Sequence, residues 1–271
     1  MEIIRITDLH DSRLEMYTEL NEVQLKRYYE PNGGVFVAET ELVISRALAA
    51  GCRPVSFLVE EKCFDAGILD GLMREAGYDV PVYVAPLDVI NGLTGYNLTR
   101  GVLAALRRPA LPSPCELLAS ARRVCMLEDV MNPTNVGAIF RSAAALGVDA
   151  VLLTHACSDP LYRRAARVSM GTVFSVPFAF FGRQDNYMAL LAECGFTTVS
   201  MALKDDAVPL SSPLLKGHDR LAVIFGTEST GIKDETLATS DHTAIIPMQN
   251  GVDSLNVAAA SAVTFWELCS K

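Results

Sequence analysis

The residues with the clearest chemical potential stand in three short polar stretches, each following an apolar run. The first reads Glu128-Asp129-Val130-Met131-Asn132-Pro133-Thr134-Asn135-Val136-Gly137 and leads into residues 136–146, a mostly apolar stretch interrupted by Arg141. A guanidinium there needs an anionic partner or a ligand, because stripping its charge of water unpaired is costly. Asn135 and Thr134 are good helix N-cap residues, and for Asn135 taken alone capping is the simpler role. The second stretch is Gly226-Thr227-Glu228-Ser229-Thr230-Gly231. Its two glycines let a ligand approach the backbone closely. It lacks the GK[ST] ending of a phosphate-cradling loop and the GxGxxG spacing of a dinucleotide site. An ordinary turn with a solvated Glu228 accounts for it equally well. The third, Pro247-Met248-Gln249-Asn250-Gly251-Val252-Asp253-Ser254-Leu255-Asn256, offers Asp253 or Ser254 as a helix cap. Asn256 is polar among Leu255, Val257, Ala258 and Ala259.

Each stretch sits where a strand gives way to a helix. Short apolar runs predict strands at residues 124–127, 150–153, 197–201, 221–225 and 243–246, with helices at 137–146, 187–194 and 254–268. Such alternation implies a mostly parallel sheet covered on both faces, whose ligands gather at the loops leaving the carboxyl ends of the strands. An earlier α/β block has predicted strands at 35–37, 54–59, 82–84 and 101–106 and helices at 39–50 and 65–75. Pro109, Pro112, Ser113 and Pro114 mark a linker. The expected division is therefore a first domain over residues 1–108, a linker over 109–120 and a second domain over 121–271.

At 271 residues, half of them hydrophobic and 20% charged, the chain can bury a substantial core. Its start, with Glu2, Arg5, Asp8 and Asp11, is unlike a signal peptide, and no stretch reads as a membrane span. The seven cysteines and four histidines form no ligand-like spacing, so no metal is expected, and buried thiols in a reducing cytoplasm are the simplest reading. A net charge of −9 argues against nucleic acid as a partner. The basic residues are clustered, however: Arg100, Arg107, Arg108, Arg122 and Arg123 in one stretch, Arg163, Arg164 and Arg167 in another. Solvated faces are their ordinary role, and local patches remain compatible with phosphate binding.

Taken together, Asn-Val-Gly-Ala-Ile-Phe-Arg (135–141), Gly-Thr-Glu-Ser-Thr-Gly-Ile (226–232) and the segment from Ile246 to Ala258 with Ser254-Leu255-Asn256 resemble the three ordered motifs of the SpoU (TrmH-like) RNA 2′-O-ribose methyltransferases. Ser229 stands where that family commonly has Gly, and Ala258 where Ser is common. Residues 31–106, with Phe36-Val37-Ala38-Glu39 and Gly92-Leu93-Thr94-Gly95, are similar to the L7Ae/L30e-type RNA-binding domain. The resemblance implies an α/β fold with a trefoil knot and a smaller leading α/β domain. It also implies a cytoplasmic homodimer that moves a methyl group from S-adenosylmethionine to structured RNA, ribosomal RNA before transfer RNA. Phe225, Gly226, Ile246, Met248 and Leu255 would then line the donor pocket, and Arg141, Asn135, Glu228, Ser254 and Asn256 would serve catalysis. A pocket that binds donor without turnover, and methylation of a base or a protein, are the alternatives. A nicotinamide oxidoreductase lacks its fingerprint.

Overall fold

The computed structural model describes residues 2–8, 10–30, 33–77, 79–94 and 101–270. Gly95 and Arg100, singled out above, lie outside these residues. The chain forms two compact units, one of Met1–Ala110 with Leu161–Phe174, the other of Leu111–Pro160 with Ser175–Lys271.

In unit 1, β1 (Ile3–Arg5), β2 (Val35–Glu39), β3 (Pro54–Glu60), β4 (Val82–Ala85) and β5 (Val102–Arg107) form a five-stranded sheet in the order β1-β4-β3-β5-β2. β5 runs antiparallel to both of its neighbours, while β4 pairs parallel with β1 and β3. Helices α1 (Glu15–Thr18), α2 (Glu22–Arg27), α3 (Glu41–Ala49), α4 (Glu61–Asp65), α5 (Ile68–Ala76) and α6 (Leu87–Thr94) complete the N-terminal part. The single helix expected over 65–75 is two, because Gly67 adopts a left-handed backbone (φ 70°) between α4 and α5. Likewise Glu39 ends a strand rather than starting a helix, and its carboxylate is buried. The stretch Leu161–Phe174, which carries α9 (Arg163–Val168), belongs to this unit. Arg163 Nε donates to Glu39 Oε2 at 3.0 Å and Arg167 Nη1 to Oε1 at 3.2 Å. Two of the three arginines in the cluster read as a solvated face, Arg163 and Arg167, are thus paired with a buried carboxylate, where unpaired charge would be costly.

Unit 2 contains α7 (Pro114–Ser120), β6 (Arg123–Leu127), α8 (Pro133–Ala145), β7 (Ala150–Leu153), β8 (Phe178–Phe180), α10 (Tyr187–Glu193), β9 (Thr197–Met201), β10 (Val208–Pro209), β11 (Leu221–Phe225), α11 (Asp234–Thr239), β12 (His242–Ile245) and α12 (Val257–Leu268). The seven strands are ordered β10-β12-β9-β11-β6-β7-β8, and every pairing is parallel. The central strands are buried on both faces and read as continuous apolar runs for that reason. Phe225 on β11 meets Phe265 of α12 edge-on with ring centres 5.6 Å apart. Both rings are fully buried, each contributing about 2–3 kcal/mol of burial free energy. Part of the expected linker is helix: Ser113 caps α7 through a reciprocal pair with Glu116, Pro114 takes the first turn, and Leu118 is fully buried.

No helix among the described residues is long and apolar enough to cross a membrane. The cysteines are free, and burial pushes the thiol of Cys52 up to about 11 and that of Cys269 up to about 12.

Candidate functional site

Three adjacent strands of unit 2, β11, β9 and β12, send their carboxyl-end loops to one place. There they enclose a cavity of about 620 Å³, within the usual size range of a small-molecule site. Met201 ends β9 and Ala202–Lys204 follow it, Phe225 ends β11 and Gly226–Ile232 leave it, Ala244 and Ile245 end β12 with Ile246 and Met248 beyond, and Ser254–Val257 lead into α12. The floor is apolar, with Phe225, Ile232, Ala244 and Val257 buried.

The β11 loop is closed on itself. Thr227 and Gly231 exchange backbone hydrogen bonds of 3.1 and 3.0 Å, and Gly231 adopts φ 69°. Gly226 faces this turn so closely that a Cβ would lie 2.2 Å from the Gly231 carbonyl oxygen. Glycine is therefore required at 226 by the packing of the loop against itself.

At one side of the cavity three side chains from three elements form a polar cluster. Asn135 Nδ2 donates to Glu228 Oε1 at 2.9 Å, and Asn256 Nδ2 donates both to that oxygen and, at 3.2 Å, to Asn135 Oδ1. Asn256 meanwhile caps α12, accepting from Ala258 N at 2.9 Å. Two neutral amides thus orient one oxygen of a carboxylate without neutralising its charge. Capping is assigned differently from the sequence expectation. Asn132 caps α8, accepting from Thr134 N with Pro133 at the first helical position, which frees Asn135 to be buried against Glu228. At the last helix the cap is Asn256, because α12 starts at Val257; Asp253 and Ser254 precede it.

All five expected donor-pocket residues, Phe225, Gly226, Ile246, Met248 and Leu255, line the cavity, as do Glu228, Ser254 and Asn256. Asn135 reaches it through Glu228. Arg141 does not line it. It projects from the third turn of α8 as an exposed side chain, with no ion pair among the described residues. Its position in an apolar stretch marks an outer helix face rather than a buried charge. Sequence reasoning missed the β9 loop, since Met201-Ala202-Leu203 carries no polar signature and only the strand order brings it beside β11. No group of three or more His, Cys, Asp or Glu able to hold a metal ion occurs among the described residues.

Residues 122–266 match the SpoU rRNA methylase family. The chain belongs to that family. The SpoU match runs from the start of β6 into α12 and includes every wall of the cavity. Over nearly its whole length the chain is similar to an uncharacterised tRNA/rRNA methyltransferase of Mycobacterium bovis, with 38% identity over 268 residues, 98% of this chain and 92% of the relative. A 23S rRNA (guanosine-2′-O-)-methyltransferase of Acinetobacter baylyi is 30% identical over 198 residues, 71% of this chain and 79% of that one. Among solved structures, the AdoMet-bound rRNA methyltransferase of Sinorhizobium meliloti shares the fold, with a TM-score of 0.81 at 20% identity, covering 98% of this chain and 97% of that chain. The α/β fold with a mostly parallel sheet is thus common to this SpoU chain and its structural neighbours.

Proposed function

We propose that this SpoU protein transfers the methyl group of S-adenosylmethionine to a ribose 2′-hydroxyl of RNA, ribosomal RNA rather than transfer RNA. The observation that carries the reading is the cavity at the ends of β9, β11 and β12 with Glu228 fixed at its side by Asn135 and Asn256. What supports the donor there is a cavity of small-molecule size, with an apolar floor suited to a nucleoside and a glycine-closed turn at its wall. Phe225, Gly226, Ile246, Met248 and Leu255 would hold it. When bound, the donor supplies a methyl group on a sulfonium, already activated for in-line displacement.

The protein's own task is then to orient the ribose hydroxyl and take up its charge or proton. Glu228 offers a carboxylate held through Oε1, so its second oxygen is the natural acceptor for a hydroxyl hydrogen. Ser254, lining the cavity, supplies a further hydroxyl to orient the ribose. Arg141 carries a guanidinium, which offers hydrogen-bond donors and no acceptor, so the role left to it is electrostatic. Its fork suits an RNA phosphate beside the reacting ribose and the developing alkoxide.

Arg141 is exposed on α8 and off its own chain's cavity, which supports a homodimer in which Arg141 of the partner subunit completes the site. Val263 and Trp266 on α12, the helix packed against α8, are exposed apolar side chains fit for such an interface. Trp266 is the chain's single tryptophan, so a dilution-dependent change in its emission reports assembly directly. The knotted topology of the SpoU fold and an RNA-binding role for unit 1 belong to the same reading, as does a cytoplasmic location beside ribosomal RNA.

The test is nucleotide-resolution mapping of 2′-O-methylation in total RNA with and without the gene. One ribosomal site lost with the gene and restored by the wild-type chain, but not by Arg141→Lys, is the expected result. No ribose site lost overturns the reading. Donor binding without methyl incorporation into any RNA would favour the turnover-free alternative.

A further inference from the structure

A second carboxylate, that of Glu128, lies outside the cavity beside both ends of the loop that carries Glu228. Glu128, the residue after β6, is 1% exposed and makes no contact with the cavity space. Its backbone N–H donates to Phe225 O at 2.8 Å, where the β11 loop begins. Its side-chain Oε1 accepts from Lys233 N at 2.6 Å, where that loop ends. Oε2 accepts from Thr236 Oγ1 at 2.6 Å on α11 and from the Tyr187 hydroxyl on α10. One residue therefore grips both ends of Gly226–Ile232.

The grip is reinforced next door. Asp129 adopts φ 54°, an uncommon conformation for a residue with a side chain, and its carboxylate pairs with Lys233 Nζ at 2.7 Å. Thr154 Oγ1 donates to Asp129 Oδ1 at 2.7 Å and accepts from Asp129 N at 2.9 Å. Burial and the Glu128 carboxylate both push the Tyr187 hydroxyl far above the ordinary tyrosine range, so it remains a donor. A buried carboxylate costs free energy unless every oxygen is satisfied, and an apolar residue would fill the space more simply. Glu128 buys geometry instead.

We infer that Glu128 is a positioning residue for methyl transfer: with Tyr187 and Thr236 it sets the backbone of the loop that walls the donor pocket. This rests on the methyl-transfer reading above. The expected signature is a split, because the loop's backbone walls the donor pocket while Glu228 is also held independently by Asn135 and Asn256.

The experiment titrates the full-length chain with S-adenosylmethionine alone by calorimetry, then measures donor KM and kcat at saturating RNA, for the parent, Glu128→Gln and Tyr187→Phe. Donor affinity should fall about tenfold in Glu128→Gln and about threefold in Tyr187→Phe, with donor KM rising in step and kcat within about twofold of the parent. A parent chain that binds donor while both variants bind it equally well overturns the inference and leaves the methyl-transfer reading standing. A kcat loss with unchanged donor KM overturns it too. A parent chain with no affinity for donor overturns the methyl-transfer reading, and the inference falls with it. If Glu128→Gln does not fold, Tyr187→Phe, which removes one donor of three, decides alone.

Discussion

In unit 1 the Glu39 carboxylate, 4% exposed, is grasped by two guanidinium groups, Arg163 and Arg167. In unit 2 the Glu228 carboxylate, at the side of a cavity, is grasped by two neutral amides, Asn135 and Asn256. Both are fixed in orientation, yet only the second keeps an uncompensated negative charge. Guanidinium partners turn a carboxylate into a fastening. Amide partners leave it able to accept a proton or a hydrogen bond from something that arrives later.

The comparison is broken most directly at Glu228. Glu228→Gln preserves the shape but removes the acceptor, so kcat should fall by about 10²–10⁴-fold while donor affinity stays within about threefold of the parent. Equal turnover by the variant in a methyl-incorporation assay would remove Glu228 from the chemistry. Next comes Gly226→Ala, whose added carbon would lie 2.2 Å from a backbone oxygen. About 1–3 kcal/mol of overpacking strain, if expressed wholly in binding, corresponds to a loss of donor affinity of about 5- to 150-fold, read by calorimetry.

On the other side of the comparison, Glu39→Gln should lower the stability of unit 1 by about 2 kcal/mol in denaturant unfolding, the scale of a lost charged hydrogen bond. Donor affinity should not change, and a change would mean that Glu39 does more than fasten α9 to β2. The smallest effect concerns Asp129. Partial burial alone would raise its carboxyl, but hydrogen bonds from Lys233 and Thr154 together outweigh it and hold the group below the ordinary range. A depressed carboxyl contributes stability that is fully present above its unfolded-state pKa of about 3.9 and lost as pH falls through the folded value. Asp129→Asn should flatten that acid limb of the stability profile, modestly lowering stability at neutral pH while leaving it almost unchanged below the folded-state pKa.

Much of unit 2 was legible because its central strands are apolar on both faces. Ala150–Leu153, Thr197–Met201 and Leu221–Phe225 stand at the expected residues. The short edge strands Phe178–Phe180 and Val208–Pro209 escaped notice, since two or three residues carry no period. Caps were misassigned by a few residues, because Asn, Ser and Asp candidates crowd each helix start and only backbone geometry chooses among them. The polar stretches gave the cavity residues. They could not give the β9 loop, whose membership depends on strand order, nor the exposed setting of Arg141. A charge at an apolar helix position looks the same in sequence whether that face is covered by its own chain or left open.

The cavity has no local origin. Its walls come from strands that are neighbours in the sheet but separated by whole crossovers in the chain, so no fragment carries a half-formed version of it. A small molecule held there would engage only the finished domain, and at 100 times its dissociation constant would add about 2.7 kcal/mol to the folded state. Thermal denaturation with increasing S-adenosylmethionine would then track the melting of unit 2 as a whole, making the donor a reporter of complete assembly as well as a reagent.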